Sequence, residues 1–430
     1  MRKILLSAAI VMVGLTASAQ KLTYIPWTEN GYLQGTVISD NGKYVAGSDR
    51  GGQAFIYDAE KGEIKYFASP NIGVDEETSN KATVYSVTNE GLGVGTLEET
   101  ATKFDFSTGK YEKLLNEHSI ARYIATNGYI YGITYTSDAY ERTPFQIVDG
   151  KKTNLPMATN EWLGYECDGF DIVGGNSDGS VLVGYAHDNY ETNPLMIWAK
   201  NRDNTTYSLI PASRKYYDSS FELNGHQPYD SFEGVAISSN GKWIAVNMHE
   251  KNNENVGMKI ARYHVDSDSL EYISCPEADA ENWYYANSIS NDGTIVGYIE
   301  NQVSYGRTGM ICKAGETEAK HMADVFPGIK DIATMDSYDL NVPCMITPDG
   351  RYIAGFGYVD YSDTSLCYGT YIIDTNNGST GIESIAQNND SSKIVASYTT
   401  DGKSTRHFSG ANKSIVIDRF ADGKVKKSLK

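Results

Sequence analysis

The sequence has no two cysteines close enough to form a metal-binding or redox pair. Its five, Cys167, Cys275, Cys312, Cys344 and Cys367, stand far apart along 430 residues. Zinc sites and dithiol redox centres use close pairs such as C-x-x-C, so the sequence supports neither. An odd count with no framework reads as free thiols, and a disulfide is the alternative that export would permit. Basic charge is also scarce. Against 55 Asp and Glu there are 37 Lys and Arg, a net charge of −18, which repels phosphate backbones and argues against a nucleic-acid partner. After the first twenty residues no apolar run could span a membrane, and helix-period patterning is rare. No G-x-S-x-G elbow, H-E-x-x-H pair or phosphate loop occurs, and "VDSDS" at 265–269 lacks the glycine and spaced acids of a calcium loop. No cofactor and no bound metal are expected.

What is present begins at the N-terminus. "MRKILLSAAIVMVGLTASAQ" sets Arg2 and Lys3 before an apolar run from Ile4 to Leu15, then small residues at Ala17 and Ala19. That order fits an export signal over 1–19; a transmembrane anchor is the alternative, and the run is short for one. No cysteine follows the cleavage position to carry a lipid. The mature chain is expected in the periplasm, at the cell surface or outside, as a monomer. Hydrophobic residues make up 40% of the chain, enough for a real core, and roughly 410 residues allow two or three domains or one large all-β domain.

The dominant pattern is a repeat of about fifty residues. Variants of one phrase recur as "SDNGKYVAG", "TNEGLGVG", "IATNGYIYGI", "NSDGSVLVG", "SSNGKWIAV", "SNDGTIVG" and "TPDGRYIAG", aligned on Gly42, Gly91, Gly128, Gly179, Gly241, Gly293 and Gly350. Asn-Gly and Asp-Gly take the positive φ of tight hairpin turns, and the β-branched and aromatic flanks prefer strands. A second strand pair follows in each copy, as in "QAFIYDAEKGEIKYFAS". Four antiparallel strands that bury their faces only against neighbours predict an all-β, seven-bladed β-propeller over 20–378. The seventh copy lacks a clear fourth strand, while "KLTYIPW" stands alone before the first. Residues 21–27 are therefore expected to complete the last blade and remove two exposed edges.

With the copies aligned, "ANSISNDGTIVGYI" and "QAFIYDAEKG" resemble the HAF-type extracellular repeat, and "TPDGRYIAG" is equally similar to the TolB-like propeller repeat. Both resemblances imply a propeller and neither implies one activity. The tail over 379–430 opens with linker-like "AQNNDSS" and ends in "KIVASYTTDGKSTRHFSGANKSIVIDRFADGKVKKSLK". It is similar to the C-terminal sorting module of type IX secretion cargo in Bacteroidetes, through Asp401-Gly402, Ile415-Val416, Arg419, Asp422-Gly423 and Lys430. Gly410-Ala411-Asn412-Lys413 replaces that module's usual Lys-Gly, so a small β cap without sorting activity is the other reading.

In a four-stranded blade the one-two and three-four turns share a face, and the two-three loops and interblade links share the other. The first set is tight here and the second long, which points to the long-loop face as the working surface. Its loops gather Trp162, Tyr165, Tyr216, Tyr217, Phe221, Tyr229, Phe232, Trp283, Tyr284, Tyr285 and Tyr338 with Glu166, Asp168, Asp230, Glu233, Glu281 and Asp336. Aromatic faces stack on sugars or anchor proteins, and carboxylates accept hydrogen bonds from hydroxyls. The other reading is that many of these rings turn inward and cover the blade tops. The predicted function is non-catalytic binding of a glycan or extracellular protein, with a polysaccharide-acting hydrolase or lyase as the alternative. His187 and His249, just after the second strand of adjacent repeats, are read as loop histidines before a metal pair.

Overall fold

The recurring turn is a small hydrogen-bonded knot. In Ser290–Thr294 the Ser290 hydroxyl accepts the Thr294 N–H at 3.1 Å and donates to Asp292 at 2.5 Å. Asp292 accepts the same N–H at 3.0 Å, and Gly293 sits at φ 93°, where a Cβ would be strained. Ser39, Ser238 and Thr347 make a version one residue longer with Asn41, Asn240 and Asp349, in which the hydroxyl and the Asx oxygen accept two successive N–H groups. All seven aligned glycines have positive φ.

The computed structural model describes residues 21–25, 33–49, 52–67, 82–136, 141–158, 169–187, 193–202, 206–210, 229–250, 257–276, 278–326, 342–360, 366–375, 394–399, 415–420 and 425–429. Chain contacts divide it into Met1–Asn377 and Gly378–Lys430. The first unit is nearly all β. Leu33–Ile38, Tyr44–Asp49, Ala54–Asp58 and Glu63–Phe67 pair antiparallel in chain order. Ala82–Val87 and Asn282–Ile289 each begin another such sheet. A 12-stranded sheet holds three further four-strand meanders, beginning at Ser119–Ile124, Gly169–Gly175 and Tyr229–Ile237 and joined by short parallel pairings. The last group runs Val342–Ile346, Tyr352–Asp360, Leu366–Asp374. Its fourth strand is Lys21–Ile25, antiparallel to the third, with Lys21 opposite Asp374 and Ile25 opposite Thr370.

The cores lie between successive groups, because each sheet face is apolar and has only a neighbour to bury it. Val37 and Ile56 pack with Val84, Leu97 and Phe104 of the next group, and Val296 and Ile311 pack with Ile353 and Tyr371. Burying one such side chain contributes about 1.5–3 kcal/mol. The turns are stitched as well: Asn41 N–H donates to Asn89 Oδ1 at 2.9 Å and Asn240 N–H to Asn291 Oδ1 at 2.8 Å. Ser177 N–H reaches Ser239 O and Asn291 N–H reaches Pro348 O, each at 2.9 Å.

Each group's first strand packs beside the next group's first strand, and Val342–Ile346 packs beside Leu33–Ile38. Every first strand also carries a β-bulge at the same place. Pairing with the second strand skips Thr36, Tyr85, Arg122, Val173, Val235, Asn287 and Cys344. An extra residue breaks the period-two alternation and re-aims its side chain. All seven line one cavity of about 180 Å³. Beside one bulge sits Gly297, where a Cβ would stand 1.9 Å from the Tyr285 carbonyl oxygen. The close backbone approach leaves room for hydrogen only.

Two connections depart from expectation. The two-three connection of the second group is a tight turn, with Glu98 at φ 49° and Glu99 at φ 57°, so that face is not uniformly long-looped. In the sixth group the fourth strand is only Lys320–His321 before a helical turn, Met322–Val325. Met322 and Phe326, one helical turn apart and so on one side of it, are buried with Ile353 and Tyr371. The second unit holds a three-stranded antiparallel sheet of Ile394–Thr399, Ile415–Phe420 and Val425–Leu429.

Candidate functional site

At the long-loop end of the sixth group, "NWYYANSI" forms the strand Asn282–Ile289. Alternation along a strand puts Trp283 and Tyr285 on one side and Tyr284 on the other. Trp283 packs at a tilt against His249, at the end of the strand Trp243–Glu250, with ring centroids 5.4 Å apart and planes 32° apart. Tyr285 follows at 6.4 Å from Trp283, and it stacks on its cross-strand partner Tyr298 at 5.0 Å. The Arg307 guanidinium lies 5.0 Å from the Tyr298 ring centroid and pairs with Glu300. These rings make a half-buried aromatic ladder ending in an ion pair. Trp283 Nε1 is fixed by the Ala280 carbonyl at 3.3 Å. Beyond the ladder, Val303 and Tyr305 are each 69% exposed on the two-three loop. Burial raises the Tyr298 pKa, with Arg307 opposing and Glu300 adding, so its hydroxyl stays a neutral donor and acceptor.

Of the residues nominated from the loops, Trp162, Tyr165, Glu166, Asp168, Tyr216, Tyr217, Phe221, Asp336 and Tyr338 lie outside the described residues. Tyr229 and Asp230 open the strand Tyr229–Ile237, which also holds Phe232 and Glu233. Glu281 is exposed and Trp283 half-buried at the mouth of the ladder. Tyr284 is a correction. It is 1% exposed and packs with Ala245, Ile260 and Ile299, so its ring belongs to the core and not to a binding surface. Tyr285, nominated beside it, does join the ladder; Tyr298 and Arg307 were missed, because their signal is cross-strand pairing, which a linear reading does not display.

His249 is engaged by Trp283, and among the described residues no group of three or more His, Cys, Asp or Glu could hold a metal. Cys275, Cys312 and Cys344 are free thiols; burial pushes Cys275 up to about 11 and Cys344 up to about 12, so neither is a ready nucleophile. The tight-turn side is not featureless. Asp292, Lys313, Phe326, Asp349 and Thr375 line a cleft of about 380 Å³ there. No helix among the described residues is long and apolar enough to cross a membrane.

No family model and no curated protein matches the chain. Solved structures do. An oligogalacturonate lyase from Vibrio parahaemolyticus is similar over 84% of this chain and 94% of that one, with TM-score 0.50 and 13% identity. The β-propeller domain of a Myceliophteria thermophila protein aligns over 82% of this chain and 99% of its own, with TM-score 0.47 and 10% identity. The extracellular domain of a putative one-component system from B. thetaiotaomicron aligns over 95% of this chain and 47% of its own, with TM-score 0.48 and 12% identity. Identities this low speak to fold alone. The likeness to the lyase, at TM-score 0.50, together with the four-stranded antiparallel groups described above, makes this chain a β-propeller-like all-β protein.

Proposed function

We propose that the chain is an exported seven-bladed β-propeller that binds a glycan, without turning it over, through the face bearing the long loops. The observation that carries this reading is the ladder His249–Trp283–Tyr285–Tyr298 closed by Arg307 and Glu300. Flat ring faces suit the C–H faces of pyranoses, and the adjoining ion pair offers donors and acceptors to hydroxyls. Trp162, Tyr165, Glu166, Asp168, Tyr216, Tyr217, Tyr229, Asp230, Glu281 and Tyr338 would extend the same face. The seven-bladed, ring-closed form is supported by one bulge from each first strand around a shared cavity and by the pairing of Lys21–Ile25 with Leu366–Asp374. HAF-type or TolB-like ancestry would account for the repeat phrase. The leader-like 1–19 and the sorting-like tail support export.

A hydrolase or lyase acting on polysaccharide is the second reading, and the likeness to a lyase concerns its fold only. A glycan array probed with the mature chain and with Trp283→Ala tests the choice. Retention of the wild type, loss in the variant and no new reducing ends support recognition. Reducing ends released from a retained polysaccharide would transfer the case to the enzyme reading. If the folded chain retains no glycan but captures an extracellular protein, the glycan reading is wrong.

A further inference from the structure

The cavity at the inner strands carries chemistry of its own. Among the bulge residues that line it, Arg122 alone is charged. Its guanidinium lies 4.8 Å from the ring centroid of Tyr85, the bulge residue of the preceding group, and its Nε is buried with no hydrogen-bond partner. The Thr36 hydroxyl, from the first group's bulge, is also buried and unpartnered. Neighbouring polar groups are occupied. Asn287 Nδ2 donates to the Pro343 carbonyl at 2.8 Å, the Cys344 thiol to the Val342 carbonyl at 3.3 Å, and the Tyr123 hydroxyl to the Asn176 carbonyl at 2.7 Å. Asp40, on the turn-side rim, accepts from Ser239 at 3.4 Å.

A buried guanidinium nitrogen without an acceptor is unfavourable unless something outside the fold supplies one. We propose that this cavity binds a small organic carboxylate, with Arg122 as its counter-ion and Thr36 as a second donor. The planar Nε–Nη edge of arginine matches the two oxygens of a carboxylate, which a point charge does not. One guanidinium neutralises one negative charge. A dianionic phosphate would keep a surplus beside Asp40, in a chain of net charge −18. Val173, Val235, Met345 and Ile346 give the rest of the lining an apolar character suited to a short carbon skeleton. At about 180 Å³, the space is of the order of the ~150 Å³ cavity that admits benzene in another protein, so the ligand is small.

Isothermal titration of the mature chain tests this, with propionate, benzoate, their amides and inorganic phosphate as probes in a carboxylate-free buffer. A carboxylate should bind one-to-one, and its amide at least about tenfold more weakly, because the charge-assisted pair is lost. Arg122→Met should abolish binding, and Arg122→Lys should weaken it about tenfold by losing the fork. Arg122→Met removes a half-buried cation whose Nε has no acceptor, so its ligand-free melting temperature should not fall by more than the loss of the Tyr85 contact; if it does, Arg122→Lys carries the test. Trp283→Ala should bind the carboxylate as the wild type does, which separates this site from the glycan face. The proposal is overturned if no carboxylate binds, if phosphate binds more tightly than every carboxylate, or if Arg122→Met binds unchanged.

Discussion

Arg262 Nε donates to the carbonyl oxygen of Gly293 at 2.5 Å, so a buried side chain of one strand group clamps the Asx-Gly turn of the next. The same guanidinium reaches the carbonyls of Glu316 at 2.8 Å, Lys313 at 2.6 Å and Cys312 at 3.2 Å, and the Glu271 carboxylate at 3.0 Å. Arg262 is 1% exposed. Removing it strands several acceptors at once, and the repeated phrase gains a second structural duty from this contact.

Arg262→Met is therefore expected to destabilise the chain by about 3–5 kcal/mol, as breaking a buried charged network does. Arg262→Lys should cost less, since one ammonium still serves part of the set. Urea unfolding of the chain gives both values. An unchanged midpoint for Arg262→Met would mean that water replaces the guanidinium at no loss.

Glycines in the same repeat should differ in tolerance. At Gly128 a Cβ meets nothing within 4 Å, yet φ is +83°, so Gly128→Ala should cost about 1 kcal/mol from backbone strain alone. At Gly297 the Cβ would stand 1.9 Å from the Tyr285 carbonyl oxygen, and the strand pair must open at its bulge. Gly297→Ala should then lower the melting temperature several times more than Gly128→Ala. Equal shifts would mean that the bulge relaxes freely.

Two turn carboxylates should respond to acid in opposite senses. Burial raises Asp40 above 3.8, with Ser239 opposing and Asp349 adding. Burial also acts on Asp292, but hydrogen bonds from Ser290 and Thr294 outweigh it and lower the pKa below 3.8. A raised folded pKa contributes stability that is full below the unfolded value and lost as pH climbs through the folded one; a lowered pKa does the reverse. Asp40→Asn should melt higher than wild type at neutral pH and merge with it below 3.8. Asp292→Asn should melt lower at neutral pH, and the gap should close only as pH falls below 3.8. Calorimetric melting across the acid range checks both, and three parallel curves would refute the linkage.

The turn glycines and the strand alternation were legible because both are local: Asx-Gly sets a backbone conformation, and apolar residues at every second place set a face. The bulges were not. In "ATVYSV" and "SIARYI" the extra residue appears only as one more strand residue, and it takes a cross-strand register to single out Tyr85 and Arg122. "WYY" likewise offers three rings in a row and no sign of which face is buried. Pairing of Tyr284 with Ile299 and of Tyr285 with Tyr298 decides that. Glu98 and Glu99 form a tight turn at positive φ without glycine, so no turn signal marked it.

That pairing separates stability from recognition at adjacent positions. Tyr284 is sealed among Ala245, Ile260, Ile299 and Met310, so Tyr284→Ala should cost about 3–5 kcal/mol through the cavity it leaves. Its effect on ligand affinity, measured on the folded fraction, should be small. Trp283 is only half-buried, with one neighbour in His249 and another in Tyr285. Trp283→Ala should leave the unfolding midpoint within about 1 kcal/mol of wild type. It should weaken binding of a retained glycan by at least about 2 kcal/mol, the loss typical of a central aromatic anchor. Paired urea and binding titrations on the two variants decide the matter. If Trp283→Ala loses stability and keeps its affinity, the ladder is a brace between strand groups and the long-loop face binds elsewhere.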